Sequence, residues 1–163
     1  MPTAGGRERD GDRNSHVLVL PVAVLVVAVP VVFRTWFVGA PELVVAASGG
    51  YAGCCLCLWA AVRSVTQWPS PEDYLDYLLV VTLGVVLLTA QAGIPVYSYV
   101  HWALVTPLVG LFAATVVAVS TFSARYPESD ALGFYALVFG PVLLGGTVAL
   151  ALLEYGVRTS LGG

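Results

Sequence analysis

Five stretches of almost uninterrupted apolar residues, each about as long as a bilayer is thick, fill the chain from Val17 to Tyr155 with short polar connections between them. A helix rises about 1.5 Å per residue, so roughly 20 apolar residues cross a hydrocarbon core of about 30 Å. Lipid offers no water to backbone N–H and C=O groups, and a helix satisfies them within its own segment. The pattern predicts an all-α fold, a polytopic transmembrane bundle of about five membrane-spanning helices, with spans at 17–37, 42–62, 73–93, 97–122 and 131–154. No remaining stretch of the 163 residues is long enough for a soluble catalytic or binding domain.

Composition agrees. Hydrophobic residues make up 58% of the chain and charged residues 10%, at a mean hydropathy of +0.87. A soluble domain with that balance would carry large exposed apolar patches. The seven positive charges are Arg7, Arg9, Arg13, Arg34, Arg63, Arg125 and Arg158, against ten acids, and no lysine occurs. No clustered basic patch results, which argues against nucleic acid as a partner. The missing lysine, the Ala, Val and Gly bias and the Asp-containing tail resemble the composition of membrane proteins from salt-loving archaea or, as the second choice, from GC-rich actinobacteria, which says nothing of function.

Residues 1–16 are charged, rich in Gly, Arg and Asp and without apolar periodicity. Such a segment cannot bury enough surface to offset its ordering entropy, and a disordered tail is expected there. Residues 156–163 are expected to form a short C-terminal tail. The run from Val17 is longer than an ordinary signal core, and Pro41 would follow a cut after Val38-Gly39-Ala40, so an uncleaved first span is the better reading.

The dipeptides Pro41-Glu42, Pro71-Glu72 and Pro127-Glu128 read as helix starts. Proline at the first helical position loses no hydrogen bond, and a carboxylate there faces the positive end of the helix dipole. Ser70 before Pro71-Glu72-Asp73 resembles a capping box. Short-loop arginines place Arg7, Arg9, Arg13, Arg63 and Arg125 on one side and Arg34 and Arg158 on the other, which predicts a cytoplasmic N-terminus and an outside C-terminus. Trp36, Trp68, Tyr74, Tyr77, Tyr97, Tyr99, Tyr126 and Tyr155 fall near span ends, where a ring with one wet edge is stable.

Few residues suggest chemistry. Cys54 and Cys57 have C-x-x-C spacing, with Cys55 between them. A pair of thiols in hydrocarbon is a poor metal site, since zinc takes four ligands, and a buried thiolate is costly. Packing is the expected role. Gly49, Gly53, Cys57 and Ala61 recur every four residues as a small-residue stripe, which in lipid marks close helix contact, either within the chain or in a homo-oligomer or larger complex. Ala136 with Gly140 and Gly145 with Ala149 form weaker versions in the fifth span, where Pro141 is expected to kink the helix.

His101 lies among Gln91, Tyr97, Ser98, Tyr99, Trp102 and Thr106, after a tight turn expected at Gly93 to Pro95. That neighbourhood supports either an interfacial anchor or the mouth of a polar path. Glu154 and Arg158 have the favourable order for a helical ion pair. No acid or arginine falls in the middle third of a span, and no phosphate loop, nucleophile elbow or paired catalytic carboxylates appear. These features point to a non-enzymatic accessory or structural protein of the cell membrane, with no catalytic, cofactor or metal residues. The alternatives are a small transporter or channel component with a polar path near Gln91 and His101, and a thiol redox protein using Cys54 and Cys57.

Overall fold

The computed structural model describes residues 7–66, 74–123 and 130–161, with side chains from Val19 onward except at Thr66. It is an all-α bundle, with no strand among the described residues. Helix α1 covers Arg7–Val32 and α2 Arg34–Gly39. Then come α3 at Pro41–Thr66, α4 at Tyr74–Trp102 and α5 at Thr106–Ser123. A last rod runs from Ala131 to Leu161 as α6 (Ala131–Phe134), a π-helical turn (Tyr135–Phe139) and α7 (Gly140–Leu161). Four helices are long and apolar enough to cross a membrane, and the apolar part of α1, Val19–Val32, is shorter.

Helix α1 starts at Arg7, so residues 7–16 continue the apolar helix where a disordered tail is expected; residues 1–6 lie outside the described residues. The rod likewise runs as helix to Leu161, past the expected start of a C-terminal tail. The first apolar run breaks at Phe33, three residues after Pro30. A proline within a helix removes one backbone donor and crowds the carbonyl four residues back, which bends the chain. Ala40 ends α2 outside the helical region (φ −146°, ψ 85°), which is disfavoured for the residue before a proline. Pro41 then opens α3, with Glu42 in its first turn and Arg63 in its last, the polarity that complements the helix dipole. The Pro71-Glu72 and Pro127-Glu128 starts, Ser70, Trp68, Arg125 and Tyr126 lie outside the described residues.

The expected turn at Gly93 to Pro95 is corrected. Helix α4 continues through these residues to Trp102, and the reversal falls at Ala103 to Val105, where Ala103 adopts φ 54°. The third span is thus 74–102 and the fourth 106–123. Proline and glycine break helices in water partly because solvent takes up the freed backbone groups; in a membrane bundle the neighbouring helices do so and the helix persists.

Helix α5 is the hub, packing against α1, α3, α4 and α7. Its buried Leu108, Leu111, Ala114, Thr115, Ala118 and Phe122 recur every three or four residues. One core cluster joins Ala52, Cys55, Trp59, Leu88, Phe122, Leu132 and Tyr135. The other joins Phe37, Val44, Ala92, Val96, Val100, Leu108 and Leu111.

Close approach inside the chain uses other glycines than the predicted stripe. An added Cβ at Gly84 would lie 2.8 Å from Leu132, one at Gly140 3.0 Å from Leu87, and one at Gly110 would run into the Thr147 side chain. At Gly49, Gly50 and Gly53 it would meet nothing within 4 Å, and Cys54 and Cys57 are exposed. Close backbone approach at Gly49 and Gly53 is therefore not used within the chain.

Candidate functional site

The polar residues nearest the middle of the bundle form a closed seam between α3, α4, α5 and the last rod. Gln91 on α4 is 1% exposed. Its Oε1 accepts from the Tyr135 hydroxyl at 2.5 Å, and its Nε2 donates to the Gly140 carbonyl at 3.1 Å. Tyr135 begins the π-helical turn and Gly140 follows it, with the Gly140 N–H returning to the Tyr135 carbonyl. The wider turn ends two residues before Pro141, the position expected to kink the helix. The missing side chain at Gly140 lets the rod close on α4 beside Leu87, which brings the carbonyl within reach of Gln91.

A second pair lies beside the first. The Tyr51 hydroxyl is 3.3 Å from Thr115 Oγ1, which itself donates to the Leu111 carbonyl at 2.8 Å. With the threonine proton so used, Tyr51 is the donor. The buried Cys55 lies one turn along α3 from Tyr51, and the edge of Phe122 meets the Tyr135 ring at 5.2 Å. Ser48, Thr82 and Thr147 return their hydroxyls to carbonyls four residues back in their own helices.

Charged clamps hold the two ends of the bundle. At one end Asp130 caps α6 by accepting from the Leu132 N–H at 3.2 Å. It also accepts from Trp59 Nε1 at 3.1 Å and pairs with Arg63 at 3.0 Å. The Arg63 guanidinium lies over the Trp59 and Tyr77 rings, which stack on each other at 5.9 Å. At the other end Glu154 and Arg158 form the expected ion pair. Glu154 also accepts from the Thr106 N–H at 2.8 Å and hydroxyl at 2.7 Å, capping α5, and Arg158 donates to the Ala103 carbonyl at 3.0 Å. The pair thus fixes the α4 to α5 reversal to α7, a role that helical spacing alone does not show.

His101 and Gln91 are not brought together. Ten residues separate them on one helix, about 15 Å along its axis, and His101 is exposed with its ring stacked on Tyr97 at 4.1 Å. Tyr97, Trp102 and Tyr155 continue that aromatic layer at the bundle end. Cys54 and Cys57 face outward near the middle of α3, more than about 13 Å from either end. Among the described residues no three His, Cys, Asp or Glu side chains cluster as a metal site. The links from Asp130 to Trp59 and from Gln91 to Tyr135 join residues 71 and 44 positions apart, and no sequence spacing signals them. Pro127-Glu128 reads as the helix start and Asp130 is missed, although an aspartate directly before an apolar run is the signal that could have found it.

No protein-family model, curated protein or solved structure matches the chain.

Proposed function

We propose that the protein is a non-enzymatic structural or accessory component of the cell membrane, a rigid bundle whose interior is sealed and whose outer faces meet its partners. The observation that carries this reading is the closure of Gln91: the most polar side chain in the core has its carbonyl and amide groups engaged by Tyr135 and Gly140. A transport path needs polar groups free to exchange with solute or ions, and in lipid such groups are functional when they face a cavity. The open Gly49, Gly53, Cys57 stripe is the surface for a helix of another subunit, since backbone approach there is unobstructed. The arginine asymmetry gives the orientation, with the N-terminus cytoplasmic and the C-terminus outside.

The test is purification of the tagged full-length chain from native membranes in mild detergent, followed by solute and ion flux measurements on the same protein in liposomes. A stoichiometric partner or homo-oligomer, diminished by Gly53→Leu, with no flux, is the expected outcome. Flux above protein-free liposomes, abolished by Gln91→Leu, would overturn it in favour of a small transporter.

A further inference from the structure

At the bundle end that carries Tyr97, Tyr99 and Trp102, an apolar groove of about 230 Å³ runs between α1, α2 and α3. Its lining residues are Val29, Phe33, Trp36, Phe37, Leu43, Ala46 and Ala47. Phe33 to Val29 descends one turn of α1 from the boundary, and Leu43 to Ala47 descends one turn of α3 in parallel, so the groove points inward along the membrane normal. Trp36, 68% exposed, stands at its boundary end.

Arg34 lies on the same short helix as Trp36 and Phe37. It stacks at 5.3 Å over Tyr99, which fixes its height at the aromatic layer. Its Nε is shielded from solvent and has no acceptor. The other two arginines with described side chains are each paired with a carboxylate, Arg63 with Asp130 and Arg158 with Glu154. Arg34 is the arginine among them without one. An unneutralised guanidinium at the bilayer boundary calls for an anion, and its planar fork matches a phosphate.

We propose that this groove is a binding site for an anionic phospholipid, with the lipid phosphate on Arg34 and one acyl chain along the channel from Trp36 to Ala47. The two features adjoin on one short helix, Arg34 next to Phe33 and within three residues of Trp36 and Phe37, and they are complementary in kind: charge at the headgroup level and an apolar slot beside it. Neither a free anion nor an apolar helix satisfies both. A free phosphate leaves the slot empty, and an apolar helix leaves the charge unpaired.

The experiment uses the full chain, delipidated in detergent, with bound lipid counted by native mass spectrometry and thermal unfolding followed during titration. Phosphatidylglycerol should bind and raise the unfolding temperature, with phosphatidylcholine of the same chains binding about tenfold more weakly, because its choline cation competes with Arg34 for the phosphate and cancels the net headgroup charge. Inorganic phosphate at the same concentration should do neither. Arg34→Gln should erase the difference between the two lipids. Ala47→Phe, which keeps the arginine and fills the slot, should lose bound lipid of both kinds. Anionic-lipid preference undiminished in Arg34→Gln, equal protection by inorganic phosphate, or full occupancy in Ala47→Phe would each overturn the proposal. So would a delipidated dimer that Ala47→Phe dissociates, since the groove would then hold a second copy.

Discussion

The same chemical change, glycine to alanine, should have opposite effects at two positions on this bundle. At Gly110 the new methyl group collides with the side chain of Thr147, with the threonine Cβ and Cγ2 each at 3.0 Å and its hydroxyl closer still. Helices α5 and α7 are held at that separation by the rest of their contact, and Thr147 is fixed by donating to the Leu143 carbonyl at 2.8 Å. Overpacking of this kind costs about 1–3 kcal/mol, against which the better helix propensity of alanine returns at most about 1 kcal/mol. A net loss of about 1–2 kcal/mol is expected. At Gly53 the added methyl meets nothing within 4 Å, so the propensity term stands alone and the isolated chain should be unchanged or slightly more stable. The assay is reversible unfolding in mixed micelles with increasing denaturing detergent, read by near-ultraviolet circular dichroism. The double variant Gly110→Ala with Thr147→Ala should recover most of the loss, because the colliding atoms go with the threonine. Equal stability for Gly110→Ala and the parent would refute this account of the α5 and α7 contact. So would a loss at Gly53 in a demonstrably monomeric preparation.

Further outcomes follow from the seam, the clamps and the chain ends. Tyr135→Phe should destabilise the bundle by about 1 kcal/mol by orphaning Gln91 Oε1 in the core, and adding Gln91→Leu to it should cost less than the sum of the two single changes, in the same unfolding assay. Asp130→Ala, which removes a cap, an indole acceptor and the partner of Arg63 together, should cost about 1–3 kcal/mol, and Asp130→Asn less because the amide oxygen still caps. His101→Phe should leave stability within about 0.5 kcal/mol and any deletion phenotype fully complemented from pH 6 to 8, since the exposed ring only stacks on Tyr97. A reporter active only in the cytoplasm, fused after Gly163, should stay silent, and a strong signal there would reverse the orientation or change the span count.

Hydropathy made the helical bundle legible, because five apolar runs of bilayer length have few other ways to fold. It failed locally where water-based rules were carried into lipid. Gly93 and Pro95 look like a turn, yet α4 passes through both; Gly93 instead lies against Ser48 of α3, where an added Cβ would be 3.2 Å from Oγ. The true reversal at Ala103 to Val105 contains no glycine, proline or asparagine, its one local signal being Pro107 in the first turn of α5, and the positive φ of Ala103 is held from a distance by Arg158 on the Ala103 carbonyl. The stripe at Gly49 and Gly53 was visible because it repeats along one helix. Gly140 was marked by its spacing from Ala136, whereas Gly84 and Gly110 were not visible, because each is paired with a single larger side chain on another helix and needs no repeat. Gln91 stood out as an amide in an apolar run, but its partner Tyr135 sits in a π-helical turn that residue spacing does not encode.

The central place of α5 bears on how the chain is made. Spans enter the membrane in order of synthesis, and α1 packs mainly on α5, with α3 and α4 intervening in sequence. Until Thr106–Ser123 arrives, the first helix must wait in lipid or against the insertion machinery without its principal neighbour, and α3 and α4 present a face with no hub to close on. Assembly therefore starts late, when α5, the fourth of the five apolar segments, enters among helices already in place, and it is completed when the last rod packs on α5 and α4. Stop codons placed before Thr106 should yield fragments that insert and are then degraded, whereas those placed after Leu161 should accumulate.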